Sequence, residues 1–504
     1  MPPLDTITRE PKASDLDAGA AGLVQRMHAV IEQLHVARAE LSPDAVHDLR
    51  VALRRCRSIA EGAGAIDSHR SWRRLRRASR SLFRQLGALR DAHVMAEWIE
   101  KLAPAGDTAR ERLSAQIHAR EAQLARSARD AVFEFDDAAW RALAAVVAAR
   151  AERLRPGSAV FRHLALERWT EARALHDAAL ESGSGEAFHA LRIGVKRFRY
   201  TVENFLPRKY EVWAKQFKRV QDSLGEMHDL DLLWGAIAAA EPPLSDEELA
   251  EWRDVLSNEL ESRLSDYHER MSGDDSLWAE WRDGLPDEGA LPAVSFARVA
   301  AWAALRDPAP RHARRVARLA VEIFDGLGAL ERAHPFGDRR SRRSLRGAAL
   351  AHHIGRAGGR SRRHKRTYRL LTELRAPLGW EEDEIRAVAI IARYYRGSEP
   401  HASHAGFRDL DAAGRTAVSA LAGVLRIADA LDSRHDGAVA HVRVESAPPA
   451  ILVRAFGYEE DQRTAARMGG RKRLLESVLG RPIVVLGAQR DESPAIRAGA
   501  RPPR

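Results

Sequence analysis

The sequence contains two copies of one short basic segment, and this repeat limits the folds open to the chain. Residues 47–58 read HDLRVALRRCRS, and residues 189–200 read HALRIGVKRFRY. A second matching pair follows each copy at nearly the same distance, LGALRDAHV at 86–94 and LGEMHDLDL at 224–232. Self-similarity of this kind is typical of one structural unit that is present twice.

Good helix formers dominate the part of the chain that carries the repeat. Ala, Leu, Arg and Glu are abundant between residues 20 and 270, whereas Pro and Gly are sparse. We therefore expect a mainly α fold, a duplicated antiparallel helical bundle with halves at about 20–150 and 160–270. The two halves should face each other across a pseudo-twofold axis.

Turn-forming and β-forming residues divide the rest of the chain. Residues 273–295 mix Gly, Pro and acids, which is typical of a linker. The segments AVAHVRVES (438–446), AILVRAF (450–456) and RPIVVLG (481–487) are rich in strand formers. The expected organisation is a disordered N-terminus (1–15), the helical bundle (16–270), a linker (271–295), a second helical domain (296–436), a small α+β tail (437–490) and a disordered C-terminus (491–504).

Several classes of protein are excluded by composition. No stretch approaches the roughly 18 apolar residues of a membrane-spanning helix. The first residues lack a basic start followed by an apolar run, so we expect no signal peptide and a cytoplasmic location. Cys56 is the single cysteine, so an internal disulfide and a metal site built from several thiolates are both excluded.

The net charge of +10 favours a polyanionic partner. The excess is concentrated in three blocks. Residues 47–90 hold twelve Lys or Arg and three acids, residues 189–219 hold nine and two, and residues 338–375 hold thirteen and two. Because like charges three or four residues apart repel each other on a helix, such blocks favour binding of an anion over an ordinary solvated surface.

Helical spacing arranges the charges of the repeat into stripes. His47, Arg50, Arg54 and Arg57 share one helix face, and His189, Arg192, Lys196 and Arg199 share the equivalent face. Further stripes are expected on the helices that follow, with Arg73, Arg76, Arg77, Arg80 and Arg84 in the first half and Lys215, Lys218 and Arg219 in the second. Arginine suits a phosphate ligand because its planar guanidinium binds two oxygens at once and stays ionised.

The repeated HxxR segments, each followed by an LG segment with an aspartate, resemble the conserved-histidine α-helical (CHAD) domain over about residues 16–270. The resemblance implies a duplicated helical bundle whose basic faces bind inorganic polyphosphate. It also implies that Asp91 and Asp229 hold arginines in place. The polyphosphate contacts it implies by position are His47, Arg50, Arg54, Arg55, Arg57, His189, Arg192, Lys196, Arg197 and Arg199.

The second helical region carries histidines in a recognisable order. HARRVARLAVEIF begins with His312, HHIG follows at 352–355, and ADALD lies at 428–432. This order resembles the HD superfamily and, more closely, the C-terminal half of the exopolyphosphatase/guanosine pentaphosphatase family, over about 296–487. An HD-like helical domain with a small β-containing tail is the fold that the resemblance implies. Its implied metal ligands are His312, His352, His353 and Asp429.

Position 353 departs from the superfamily, which has aspartate there. A neutral imidazole neither supplies negative charge nor bridges two cations, so a dinuclear hydrolytic site is not expected. Histidines packed at the end of an apolar helix are the favoured interpretation, and a divalent metal bound by these four residues is the alternative. In the resembled family, catalysis belongs to an N-terminal actin-like domain. This chain has the helical repeat at that position instead.

We therefore expect a polyphosphate-binding protein without catalysis and without a required cofactor, in which Arg-rich surfaces of both domains bind one polymer. The first alternative is a metal-dependent phosphohydrolase that acts on polyphosphate or a guanosine polyphosphate. The second is a nucleic-acid-binding protein, which is not favoured because aromatic residues make up only 6% of the chain and few interleave with the basic stripes.

Overall fold

The computed structural model describes residues 20–103, 107–330, 334–359, 362–459 and 461–489. The termini expected to be disordered (1–15 and 491–504) lie outside these residues. The described chain is mainly helical, with one small sheet near its C-terminal end, which confirms the expected fold class. Two compact units divide between Val294 and Ser295.

The first unit is entirely helical over its described residues. Its helices are α1 (Ala20–Ala39), α2 (Pro43–Ile66), α3 (Arg70–Ala78), α4 (Arg80–Leu102), α5 (Thr108–Phe133), α6 (Asp137–Ala151), α7 (Ala159–Ser182), α8 (Gly185–Phe205), α9 (Pro207–Ala238), α10 (Asp246–Met271) and α11 (Leu277–Asp283). Helices α2 and α8 carry the two HxxR segments, and they pack against each other. Helices α4 and α9 carry the two LG segments and also pack together. Equivalent helices of the two repeats therefore meet in pairs, as a pseudo-twofold arrangement requires.

Apolar side chains at helical spacing hold the two repeats together. Leu49, Leu53 and Cys56 of α2 are fully buried, as are Leu191 and Val195 of α8. On each helix the basic stripe lies next to the buried apolar stripe, so the contact between the apolar stripes brings the basic stripes of α2 and α8 close together. A capping box formed by Ser245 and Glu248 begins α10.

Two segments differ from expectation. The stripe from Arg73 to Arg84 lies on two helices rather than one, because the chain bends at Ser79 between α3 and α4. The stretch 271–295, expected to be a linker, contains α11, and Trp278 and Trp281 in it are 1% and 0% exposed. The ring of Trp281 stacks on Phe217 at 4.7 Å, so the apolar area of two tryptophans outweighs the turn-forming composition around them.

The second unit packs helices around a central buried helix and adds a three-stranded sheet. Its elements, from the helix that spans the division onward, are α12 (Leu291–Arg306), α13 (Pro310–Leu330), α14 (Arg339–Ala351), a short 3-10 helix (Ile354–Gly358), α15 (Arg363–Thr372), α16 (Glu382–Arg393), α17 (Ala412–Leu431), β1 (His441–Ala447), β2 (Ala450–Phe456), α18 (Gln462–Leu479) and β3 (Ile483–Ala488). Strands β1 and β2 are antiparallel, and β3 pairs in parallel with β2 after the α18 crossover.

Helix α17 is buried along almost its whole length, as expected for a helix surrounded by others. It contacts α13, α14 and α16. This packing brings the start of α13, the end of α14 and the end of α17 close together. No helix among the described residues combines the length and apolar character needed to cross a bilayer.

Candidate functional site

Four cations from the two repeats gather where α2 packs against α8. Arg50 and Arg54 come from α2, and Arg192 and Lys196 occupy the equivalent positions on α8. We call these four residues the central cationic cluster. None of them has a carboxylate oxygen within 4.0 Å in the part of the chain that the structure describes. The two stripes therefore approach each other at these four positions.

The electrostatics of Lys196 show how closely these charges approach. Burial is the largest cause that lowers the pKa of Lys196, to about 7, and the neighbouring Arg192 is the second. Arg54 and Arg50, which belong to the other repeat, lower this pKa further. Burial and the same crowding also lower the pKa of Arg50. Such a concentration of positive charge is costly without an anion nearby.

Two aspartates of the LG segments lie near the cluster without pairing to it. Burial raises the pKa of Asp229 to about 6, and the charge of Asp91 adds to this effect. Arg192 and Lys196 act in the opposite direction. Neither aspartate forms an ion pair within 4.0 Å among the described residues. The resemblance implied that these aspartates hold arginines, and here they do so only through longer-range attraction.

A glycine and an aromatic ring hold Arg50 in place. A Cβ at Gly87 of α4 would lie 2.4 Å from Arg50 Nη1, so the guanidinium rests on the bare backbone of this glycine. The carbon at the centre of the same guanidinium lies 5.2 Å from the ring centroid of Phe83, and that of Arg57 lies 4.8 Å from it. Sequence reasoning missed both supports, although Gly87 belongs to the repeated LG segment.

The two repeats differ at the equivalent glycine and histidine positions. A Cβ at Gly225 would meet no atom within 4 Å. His189 Nδ1 lies 3.2 Å from His228 Nδ1 of α9, whereas His47 lies near Arg90 instead. Burial, Arg192 and His189 lower the pKa of His228 to about 4, so this ring is neutral at physiological pH.

Other expected contacts are engaged with the protein itself. Arg197 Nε lies 3.2 Å from a carboxylate oxygen of Glu61, and Arg199 Nε lies 3.6 Å from Glu203. Arg57 donates hydrogen bonds to Arg76 O at 2.7 Å and to Ser79 Oγ at 3.0 Å, so it stabilises the bend between α3 and α4. The positive charges of Arg197 and Arg199 are therefore compensated by carboxylates, whereas the hydrogen-bond partners of Arg57 are neutral.

The remaining expected contacts lie at the protein surface. Arg55 is half-buried on α2. Lys218 lies 3.9 Å from Asp222. The other expected contacts on α3, α4 and α9 are exposed and have no carboxylate oxygen within 4.0 Å among the described residues: Arg73, Arg76, Arg77, Arg80, Arg84, Lys215 and Arg219.

A second cluster lies in the second unit and consists of His312, His352, His353 and Asp429. One potential ligand atom from each of the four lies within 4.8 Å of the others, so the group could hold a metal ion. His312 Nε2 and His352 Nε2 each lie 3.5 Å from Asp429 Oδ1, and His353 Nε2 lies 3.9 Å from it. The structure thus brings together all four residues that the HD resemblance implies.

The partners of the outer ring nitrogens determine which atoms could bind a metal. His312 Nδ1 lies 2.7 Å from Asp432 Oδ2, and His352 Nδ1 lies 2.6 Å from Ala349 O. Since a carboxylate and a carbonyl can only accept, both Nδ1 atoms are donors, and the neutral rings present Nε2 lone pairs. Both Nε2 atoms are buried without a hydrogen-bond partner among the described residues. These residues fit a divalent metal.

The charges around this cluster favour the ionised form of Asp429 and the protonated form of His312. Although burial opposes it, the neighbouring rings of His312, His352 and His353 hold the pKa of Asp429 well below its usual range. Burial likewise opposes ionisation of His312, but Asp429 and Asp432 raise its pKa. His435 stacks on His312 with ring centroids 3.7 Å apart, a contact that sequence reasoning missed.

Some cations of the basic segments on either side of HHIG already contact other side chains of the protein. Arg342 pairs with Asp325 at 2.7 Å, and Arg343 lies over the ring of Trp380 at 3.7 Å. Burial is the largest cause that lowers the pKa of His364, and the positive charges of Lys365, Arg396 and Arg393 lower it further. These three cations therefore lie near His364, around the start of α15 and the end of α16. Arg360 lies outside the described residues.

Comparisons with known proteins agree with this division. Residues 22–238 match the CHAD domain family, and residues 309–449 match domain III of the Ppx/GppA phosphatases. The crystal structure of the CHAD domain from the plant Ricinus communis is similar to the chain at 20% identity and a TM-score of 0.38, and the match covers 51% of this chain and 90% of that chain. No curated protein matches the chain. The chain therefore joins a CHAD domain at residues 22–238 to a Ppx/GppA domain III at residues 309–449.

Proposed function

We propose that this protein binds inorganic polyphosphate and that the central cationic cluster is the principal contact. The observation that carries the proposal is the meeting of four cations from two repeats without a carboxylate within 4.0 Å among the described residues. In addition, Arg192 Nε is buried and has no hydrogen-bond partner among those residues. Phosphate oxygens would supply the missing acceptors and offset the repulsion.

Exposed cations around the cluster extend the proposed surface. The arginines of α3 and α4 and the lysines of α9 would bind further phosphates along the polymer, each adding attraction that salt screens. Binding should therefore weaken steeply as salt concentration rises, because cations that contact a linear polyanion release its counterions. We further propose that the protein is cytoplasmic and accompanies polyphosphate granules, which fluorescence co-localisation would test.

Titration calorimetry with polyphosphate of defined length tests the proposal. The double variant Arg50→Gln/Arg192→Gln should lose roughly tenfold or more in affinity for each charge removed, since a charge-assisted hydrogen bond contributes about 1.5–3 kcal/mol. Arg168→Gln/Arg173→Gln is the matched control, because these two arginines of α7 already pair with Glu171 and Asp177. Equal affinity of both double variants, with intact helicity, would refute the assignment.

Competition with DNA at matched phosphate concentration addresses the nucleic-acid alternative. The cluster contains no stacked aromatic ring open to a base, since Phe83 lies beneath the guanidinium groups of Arg50 and Arg57. We therefore expect polyphosphate to displace DNA completely and DNA to displace little polyphosphate. Preference for DNA would contradict the proposal.

A metal-dependent phosphohydrolase is the second candidate function, favoured by the two buried Nε2 atoms that face Asp429. A bound divalent metal would supply a Lewis acid and an activated water at this centre. Phosphate release from polyphosphate or a guanosine polyphosphate, measured with Mn²⁺ or Mg²⁺ and compared between the wild type and His352→Ala, tests this function. Release by the wild type alone would make the protein an enzyme.

A further inference from the structure

We infer that His353 is a positioning residue that faces Asp429 and does not bind metal. His312, His352 and Asp429 would then bind one divalent transition-metal ion. The inference rests on metal binding at the cluster, the second candidate function above, and it assigns a different role to one of the four residues that the HD pattern would use as ligands.

The contact between Arg356 and His353 decides this role. Arg356 Nη1 lies 3.2 Å from His353 Nδ1. A guanidinium only donates hydrogen bonds, so Nδ1 of the histidine must be the acceptor. In a neutral imidazole the proton then sits on Nε2, the atom that lies 3.9 Å from Asp429 Oδ1. A protonated Nε2 has no lone pair to offer a metal.

The other two histidines have the opposite arrangement. Asp432 and the carbonyl of Ala349 accept hydrogen bonds from the Nδ1 atoms of His312 and His352, which leaves each Nε2 as a potential ligand. His353 therefore differs from His312 and His352 at Nδ1: its Nδ1 faces a hydrogen-bond donor, whereas theirs face hydrogen-bond acceptors. His353 is 3% exposed, so solvent does not compete for its ring nitrogens.

The same assignment limits the number of ions. Asp429 is the only carboxylate of the cluster, so a second divalent ion would have no carboxylate of its own to offset its charge. Two imidazoles and one carboxylate suit a single ion of the zinc, iron or cobalt kind and leave coordination positions open for water or phosphate. Replacing His353 by aspartate would add the second carboxylate that a two-ion site requires.

Metal stoichiometry of the full chain tests the inference independently of any catalysis. The chain is stripped with a chelator and titrated with Co²⁺, with bound metal measured by elemental analysis and coordination by the visible spectrum. We expect one Co²⁺ per wild-type chain and none in His352→Ala. His353→Gln, whose amide can still donate to Asp429, should keep one ion with an affinity loss of about tenfold or less. His353→Asp should bind two. The matched control is His28→Ala, which changes an exposed histidine of α1.

The outcomes distinguish a failure of metal binding at the cluster from a failure of the role assigned to His353. A wild-type chain that binds no Co²⁺ would overturn the metal site itself. A wild-type chain that binds one ion, combined with a His353→Gln variant that binds none while its circular dichroism is unchanged, would show that His353 is a ligand. One ion in both chains and a second ion in His353→Asp would support the assignment.

Discussion

The guanidinium of Arg50 rests on the backbone of Gly87, where a Cβ atom would lie only 2.4 Å from Nη1. This contact joins the two sequence segments that define the repeat, since Arg50 belongs to the first HxxR segment and Gly87 to the first LG segment. A side chain at position 87 would therefore require the guanidinium of Arg50 to move.

Gly87→Ala should therefore displace the guanidinium and weaken polyphosphate binding, by roughly tenfold if one charge-assisted contact is lost. Gly225→Ala is the matched control, because the equivalent Cβ would meet nothing within 4 Å. Both changes replace glycine within a helix, so both gain up to about 1 kcal/mol of helix propensity. Equal binding by the two variants would show that polyphosphate binding does not depend on the contact between Arg50 and the backbone of Gly87.

Pairing with carboxylates should rank the arginines of the repeat. Arg54 has no carboxylate within 4.0 Å among the described residues, whereas Arg197 lies 3.2 Å from Glu61. We expect Arg54→Gln to reduce polyphosphate affinity several times more than Arg197→Gln does. Calorimetry at two salt concentrations measures both the affinity and its salt dependence. The prediction fails if the loss is greater for Arg197.

Binding should become tighter as pH falls from about 8.5 to 6. The pKa of Lys196 is about 7, so the amine gains its proton and its charge over this interval. Asp229, with a pKa of about 6, loses charge at the acidic end and acts in the same direction. In Lys196→Arg the side chain stays charged throughout, so affinity measured at constant ionic strength should vary less with pH. An unchanged pH profile would argue against a role for Lys196.

Without polyanion, Lys196 should reduce stability. Its folded-state pKa lies below the unfolded value of 10.5, so the unfolded chain binds more protons between pH 7 and 10.5 and stability rises with pH across that range. Lys196→Met should raise the free energy of unfolding at pH 7 by on the order of 1 kcal/mol. Thermal denaturation at pH 7 and pH 10 measures this, and the gain should shrink at the higher pH. A destabilised variant would contradict the expectation.

A buried ion pair joins α6 to the segment between α2 and α3. Asp67 is 2% exposed, and its carboxylate accepts hydrogen bonds from Arg150 Nη2 at 2.6 Å and from Trp72 Nε1 at 3.0 Å. Asp67→Asn should lower the free energy of unfolding by about 3 kcal/mol, since it leaves the half-buried Arg150 without its carboxylate partner. Arg173→Ala, at an exposed pair with Asp177, should cost less than about 1 kcal/mol. Urea denaturation followed by tryptophan fluorescence compares the two variants.

The pH dependence of this pair has the opposite sign to that of Lys196. Although burial opposes it, hydrogen bonds from Arg150 and Trp72 lower the pKa of Asp67 below its ordinary value of 3.8. The stabilisation is therefore present above pH 3.8 and is lost as pH falls through the lower folded-state pKa. The difference between wild type and Asp67→Asn should narrow in acid, and a constant difference would contradict this account.

Periodic and repeated features could be read from the sequence by itself. The duplication, the helical class and the three strands follow from spacing, because a helix or a strand presents its residues at fixed intervals. The grouping of His312, His352 and Asp429 was implied by the resemblance to the HD superfamily. Neighbouring charges on one helix could likewise be recognised.

Only the tertiary structure decided which of those charges are free and which histidines have lone pairs. Glu61 lies far from Arg197 along the chain, and Asp432 lies far from His312, yet each pair is in contact. Such partners come from helices that meet through packing of their apolar faces, and no local pattern encodes which polar atoms then fall together. The contact of Arg50 with Gly87 joins two helices and is likewise decided by the packing of one element against another. The hydrogen bond from Arg356 to His353 also depends on the folded geometry, since the sequence does not show which ring nitrogen Arg356 contacts.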